Sequence, residues 1–190
     1  MTHHDADPPS LVKIEDFRDY LMVLARTRLQ TPWHTQIDAS DIVQETLLEA
    51  HRKSDQFRGT EPASMAAWLR QMLAFNLTDR IRSLNRQKRD VAREVAIDSN
   101  ALEGSSLRLQ DLLASQQSSP SRQLMRVETL LQVATAMEQL PDAQREAVRM
   151  RYIEGLPLAE IAQRLDRSTT AVAGLLKRGL EQLRAPFDRS

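Results

Sequence analysis

The sequence predicts an all-α protein built from two small helical modules joined by a flexible linker. Composition points first to helix: only 5 of 190 residues are glycine and 4% are aromatic, while Leu, Ala, Arg, Gln and Glu are abundant, a balance that favours helices over a sheet. Apolar residues recur three and four apart along most of the chain, the period of a helix with one buried face. Between two such tracts, residues 98–121 hold seven serines and Pro120, which reads as a tether with one short helical patch from Leu107 to Leu113.

The elements follow in order. Phe17, Tyr20, Leu21, Leu24, Ala25 and Leu29 mark a first amphipathic helix within 11–30, ended by Thr31-Pro32. A second helix is expected from Ala39 to Lys53 on the strip Ile42, Val43, Thr46, Leu47 and Ala50, with Asp38 or Ser40 as cap. After a loop around 57–62, the third and longest helix runs from Ser64 to Asn85 with Leu69, Met72, Leu73, Leu77 and Leu84 on one side. Helical periodicity returns over 122–139. Leu140-Pro141-Asp142 starts a further helix, since proline is tolerated in the first turn, and Gly155 ends it. The modules thus span 11–94 and 123–186, with the linker at 95–122.

The stretch 158–178 reads as a helix-turn-helix. Leu158, Ile161, Ala162 and Leu165 form one short buried face, and Asp166-Arg167-Ser168 interrupts it. Val172, Leu175 and Leu176 then restart the pattern on a second helix, for which Ser168 is a natural N-cap. Lys177, Arg178 and Arg184 place positive charge along that second helix, as phosphate contacts require. An ordinary helical hairpin would show the same apolar pattern.

Composition and charge bound the function. The formal net charge is zero, yet residues 1–69 carry 7 basic and 11 acidic side chains, 70–94 carry 7 and 3, and 163–190 carry 6 and 3. Two basic stretches are therefore set in a neutral chain, and a local patch can bind phosphate whatever the global sum. There is no cysteine, which excludes disulfides, thiolate metal sites and cysteine nucleophiles and suits a reducing cytoplasm. Neither a signal peptide nor a membrane span of about 18 apolar residues is present. A soluble cytoplasmic protein is expected, with no membrane partner, no metal and no cofactor. His3 and His4 lie in the N-terminal tail, and His34 and His51 are isolated. Without a Gly-rich phosphate loop, an H-E-x-x-H or a nucleophile elbow, the sequence gives little support for an enzyme.

Two helices carry contrasting chemistry. On the third, Asn76, Asp79, Arg80, Arg82, Arg86, Lys88 and Arg89 crowd its end beside Trp68 and Phe75. Surface pairs of Asp79 with Arg82 or Arg86 would use two or three of these charges. The remainder suits single-stranded DNA, whose bases stack on aromatics while basic groups follow the backbone. On the second helix, Asp38, Asp41, Gln44, Glu45 and Glu49 make an acidic, amide-bearing face. By spacing alone this is best read as a solvated face; it would equally serve a partner helix, with apolar anchors inside a polar rim.

These residues resemble a known family. Asp41-Ile42-Val43-Gln44-Glu45-Thr46 is similar to the polymerase-binding motif of bacterial RNA polymerase sigma factors. Phe57-x-Gly59, Ala67-Trp68-Leu69, Asn76, Asp79 and Arg82 resemble their promoter −10 module. Leu140-Pro141, Arg151-Tyr152-x-Glu154-Gly155-Leu156 and Ile161-Ala162 resemble the −35 module. Two modules and a short linker are the pattern of the extracytoplasmic-function (ECF) group of the sigma-70 superfamily. The resemblance implies an N-terminal bundle of region 2 type and a C-terminal helix-turn-helix bundle of region 4 type.

It also implies roles. Asp38, Asp41, Ile42, Val43, Gln44 and Glu45 would bind core RNA polymerase. Phe57, Trp68, Asn76, Asp79, Arg80, Arg82, Arg86 and Lys88 would hold the opened −10 strand. Ser168, Thr169, Thr170, Ala173, Gly174, Lys177 and Arg178 would face the −35 duplex. Expected partners are core polymerase, promoter DNA and, as a further candidate, an anti-sigma factor. The chain departs from its relatives at Ala173, Gly174 and Leu175, where many place arginine or serine. Gly174 and Gly179 each cost a helix about 1 kcal/mol relative to alanine, explained equally by close approach to DNA or by tolerated surface glycines. The alternative function is a stand-alone helix-turn-helix regulator on duplex operator DNA.

Overall fold

The computed structural model describes residues 12–29, 36–59, 61–87, 99–114 and 124–185, and these are helices and their connections. A 3-10 turn at Ile14–Phe17 leads into α1 (Arg18–Arg28), followed by α2 (Ala39–Arg52), a 3-10 turn at Ser54–Gln56 and α3 (Pro62–Gln87). Next come α4 (Ser99–Ala114), α5 (Leu124–Glu138) and α6 (Asp142–Val148). A π-helical turn at Arg149–Ile153 connects to α7 (Leu158–Arg164) and α8 (Thr169–Arg184). The all-α class is as expected, and the helix limits fall within a few residues of those read from periodicity. The Thr31-Pro32 stop lies outside the described residues.

α1 is the hub. Six successive residues, Tyr20 to Ala25, are buried, so the helix has no outer face over that stretch. It packs against α2 and α3 and also against α4, α5 and the π-helical turn. α2 and α3 pack on each other as a hairpin. Asp38 caps α2, its carboxylate accepting from the Ser40 N–H at 2.8 Å. α3 begins two residues earlier than expected, at Pro62, because proline fits the first helical turn.

The helical patch expected within the linker is a full helix, α4. Two of its serines are packing groups rather than spacer: Ser105 and Ser106 are buried, Ser106 bonds to the Tyr20 hydroxyl at 3.0 Å, and Arg28 donates to Ser105 at 3.2 Å. Serine content signals a tether only when the hydroxyls face water. Here they face α1.

The single helix expected from 141 to 155 is divided. α6 gives way to the π-helical turn, where the Glu154 N–H reaches back five residues to the Arg149 carbonyl at 3.1 Å. Gly155 then adopts a left-handed φ of 79° and ends it. The extra residue per turn swings the buried Arg149 side chain to Glu154, whose carboxylate is also sheltered and takes Arg164 of α7 at 3.6 Å. Glu146 pairs with Arg149 at 2.5 Å. The network thereby ties α6 to α7.

The turn between α7 and α8 closes by local chemistry. Asp166 takes a left-handed φ of 50°, a conformation that aspartate tolerates better than most residues. The Arg167 N–H bonds the Ala162 carbonyl at 2.9 Å and the Asp166 N–H bonds Gln163 at 3.3 Å, the Schellman arrangement. Ser168 then caps α8, accepting from the Ala171 N–H at 3.1 Å.

The two glycines of α8 prove unlike. A Cβ on Gly179 would lie 2.8 Å from Val148 Cγ2 and 3.6 Å from Gln144 Cβ. Neither explanation offered for Gly179 from the sequence holds; it lets α8 cross α6 closely. A Cβ on Gly174 would meet only the end of Arg178, at 3.4 Å. Gly179→Val should therefore destabilise the protein by about 1–3 kcal/mol through overpacking. Gly174→Ala should stabilise it by about 0.5–1 kcal/mol. Urea unfolding of both variants checks the contrast, and equal effects would refute it.

Candidate functional site

The expected docking residues divide between two faces of α2. Asp38, Asp41, Gln44 and Glu45 are exposed. Ile42 and Val43, expected among the contacts, are buried at 1% and 0% exposure. They point into the core and hold the helix against it, because α2 can turn only one side outward. A residue missing from the expected set takes their place. Leu48 is 57% exposed and stands three and four residues beyond Glu45 and Gln44, on the same face. Its seven-residue offset from Asp41 was the available signal.

Asn76 is a second correction. It is buried, and its side-chain amide donates to Thr46 Oγ1 and to Glu49 Oε2, both at 3.1 Å. It therefore clamps α3 to α2 rather than facing a ligand. Lys53 donates to Glu49 from the other side at 2.5 Å. That bond, with the Asn76 amide, holds the Glu49 carboxyl below its usual range despite partial desolvation. A carboxyl with a lowered folded pKa stabilises above its unfolded value, near 4.5, and the contribution is lost as pH falls through the folded value. Wild type should thus melt higher than Glu49→Gln at about pH 7, and the gap should close near about pH 3. A constant gap across that range would contradict the clamp.

The remaining −10 candidates lie along α3 and the loop before it. Phe57 and Trp68 are half-buried against each other, with ring centroids 5.0 Å apart. Asp79, Arg80, Arg82 and Arg86 are exposed and form no ion pair among the described residues. The surface pairs of Asp79 with Arg82 or Arg86, the alternative use for these charges, are accordingly not formed. Phe75 stands 69% exposed, seven residues from both Trp68 and Arg82 and so on their face of the helix. Lys88 and Arg89 lie outside the described residues, as does His34.

On α8 the expected −35 residues are brought together at one end. Ser168, Thr169, Thr170, Ala173, Lys177 and Arg178 are exposed, and Gly174 is half-exposed. Val172, Leu175 and Leu176 are buried behind them. Lys177 and Arg178 have no acidic partner among the described residues. Several buried and half-buried arginines are paired instead: Arg26 with Glu138, Arg145 with Asp142, Arg149 with Glu146 and Glu154. Unpaired cations on these two helices face water, as contact with a polyanion requires. His51 pairs with Glu15 at 3.0 Å. Among the described residues no cluster of His, Cys, Asp or Glu is arranged to hold a metal ion, and no helix is long and apolar enough to cross a membrane.

Family comparison gives two matches, one in each half of the chain. Residues 14–87 match sigma-70 region 2 and residues 130–183 match sigma-70 region 4. The chain belongs to the sigma-70 family. Region 2 joined to region 4 by a short segment is the arrangement of its ECF group. As a sigma factor, the protein acts with core RNA polymerase on promoter DNA to initiate transcription, a regulatory role.

Among solved structures, the chain is similar to the sigma factor RpoE of Bartonella quintana in complex with the anti-sigma factor NepR. That match has 20% identity over 90% of this chain and 91% of that one, with a TM-score of 0.33. It is also similar to the flagellar Sigma-28 in complex with FlgM, at 18% identity over 90% and 92% and a TM-score of 0.35. At those scores the assignment rests on the two region matches.

Proposed function

We propose that three faces of this sigma factor divide the work of initiation. The exposed α2 face, with Asp38, Asp41, Gln44 and Glu45, docks on core polymerase, and Leu48 provides an apolar anchor inside that polar rim. The end of α3, with Asp79, Arg80, Arg82 and Arg86, follows the phosphates of the opened −10 strand; the Phe57–Trp68 pair beside it supplies aromatic surface. The exposed face of α8, from Ser168 to Arg178, enters the major groove of the −35 element. Thr169, Thr170, Lys177 and Arg178 offer the polar and cationic groups for readout there. The modules 11–94 and 123–186 are the functional units, joined by 95–122.

The observation that carries this reading is the sorting of charge. One helix face is acidic and exposed, and two others carry cations without partners. A duplex-operator regulator needs one recognition helix and has no use for an acidic docking face or a cationic α3. Splitting DNA contact between two modules tethered through polymerase lets each bind weakly, because the second contact forms at high effective concentration. The nucleotide-adding chemistry belongs to polymerase, and the site of action is the cytoplasm. An anti-sigma factor, such as those bound to the two similar structures, is a fitting further partner.

Binding assays with purified bacterial core polymerase test the division. Asp41→Arg should weaken polymerase binding by at least about tenfold, equivalent to 1.4 kcal/mol, and Gln44→Ala should weaken it in the same direction, with both variants still folded. Lys177→Ala and Arg178→Ala should weaken promoter binding by the holoenzyme and leave polymerase affinity unchanged. Full polymerase affinity in a folded Asp41→Arg protein would refute the docking face. Equal loss of both activities in the α8 variants would refute separate modules.

A further inference from the structure

The middle of α8 has no polar side chain of its own to offer a base. From 171 to 176 the residues are Ala, Val, Ala, Gly, Leu and Leu. Val172, Leu175 and Leu176 turn inward, which leaves Ala171, Ala173 and Gly174 partly or fully exposed. Any hydrogen bond to a base edge at that turn must come from a side chain rooted elsewhere on the helix.

Arg178 supplies one. Its side chain lies back along α8 and brings the guanidinium over Gly174. From the point where a Cβ would stand on Gly174, Arg178 Nη1 is 3.4 Å away, Nη2 3.7 Å and Cζ 3.9 Å. Both terminal nitrogens are nearer than Cζ, so the forked end leads towards the glycine. Four residues separate the two positions, and the fork is thereby delivered about 6 Å N-terminal to its own Cα. Thr170, one turn further towards the N-terminus, continues the same row.

The pose is selective. Glu181 stands three residues beyond Arg178, within ordinary pairing range on a helix surface, yet Arg178 forms no ion pair among the described residues and turns the other way. The vacancy at 174 matches the fork in size. A methyl group there would just touch Nη1, and any longer side chain would take the place the guanidinium occupies. Holding a long side chain in one pose before contact lowers the entropy lost on binding.

A guanidinium fork carries two parallel N–H donors, which match the O6 and N7 acceptors of guanine in the major groove. Adenine offers one acceptor beside a donor, thymine one acceptor beside a methyl group, and cytosine a donor. Lysine, a single compact charge, cannot make the two-point contact.

We propose that Gly174 is a positioning residue for base readout: by leaving its place on α8 empty, it seats the Arg178 fork one turn towards the helix N-terminus, where the fork selects guanine at one base pair of the −35 duplex. The inference rests on the functional reading above, which gives α8 to the −35 element without naming a base. It also supplies a use for a glycine that weakens the helix it sits in.

The test uses holoenzyme assembled from the full chain and purified core polymerase. It transcribes a template pool randomised across the promoter region, and the transcribed templates are sequenced. Wild type should favour guanine at one −35 position by at least about tenfold over the other bases. Arg178→Ala and Arg178→Lys should both lose that preference, the second despite keeping the charge. Gly174→Leu should lose it too while melting no lower than wild type, since leucine is the better helix former, and Gly174→Ala should lose less of it.

A second arm separates seating from simple obstruction of DNA. On one selected promoter, Gly174→Leu should weaken binding in the wild-type background and add nothing to Arg178→Ala, because the seat then has no occupant. Obstruction would persist in both backgrounds and would overturn the positioning role, as would guanine preference retained in Gly174→Leu. Guanine preference retained in Arg178→Ala, or a wild type without guanine at any −35 position, would overturn the readout. A wild-type holoenzyme that transcribes no template would sink the functional reading itself, whereas a −35 preference indifferent to both residues would sink this inference alone.

Discussion

A helix buried on every side must be enclosed by the rest of the chain, and α1 is such a helix. Tyr20 to Ala25 leave no solvent face, so α2 and α3 can cover only one flank and α4 and α5 must cover the other. The hydrophobic effect acts on whatever apolar surface is left in water and does not distinguish modules. A segment dividing the chain in sequence thus becomes, in space, the wall that completes a core. The polar groups on that wall are satisfied across it, as burial requires: Ser106 by Tyr20, Ser105 by Arg28 and the Ile153 carbonyl by Arg108.

Charge divides along the same logic. Cations needed for architecture are paired and mostly sheltered, as with Arg149 between Glu146 and Glu154. Removing one partner of such a buried pair strands the other in low dielectric. Cations at the end of α3 and on α8 have no such constraint and remain hydrated. A surface that must release counterions on meeting DNA needs its charges free beforehand.

Much of the fold was legible because its signals are local. Asp38 and Ser168 cap their helices as their hydroxyl and carboxylate chemistry suggests, and Asp166-Arg167 forms the turn between α7 and α8. Face assignments were less legible. Ile42, Val43 and Asn76 sit among candidate contact residues in sequence yet turn inward, since a motif is a string and a helix shows only part of it. Leu48 escaped notice for the converse reason: an apolar residue is taken for core until its neighbours are known. The π-helical turn had no sequence signal, because one extra residue leaves composition and period almost unchanged. α4 was underread because its serines bond to side chains far away in sequence.

Gly179 has one more implication. α8 is seated on α6 at that glycine, while the residues proposed to meet DNA, 168 to 178, lie N-terminal to it. Internal fit therefore falls on Gly179 and on the inward residues Val172, Leu175 and Leu176, while the outward residues of 168–178 are free of it. Substitutions at the exposed positions Thr169, Thr170, Ala173, Lys177 and Arg178 can be sampled without loosening the module, leaving the face proposed to meet DNA free to drift while the fold is kept.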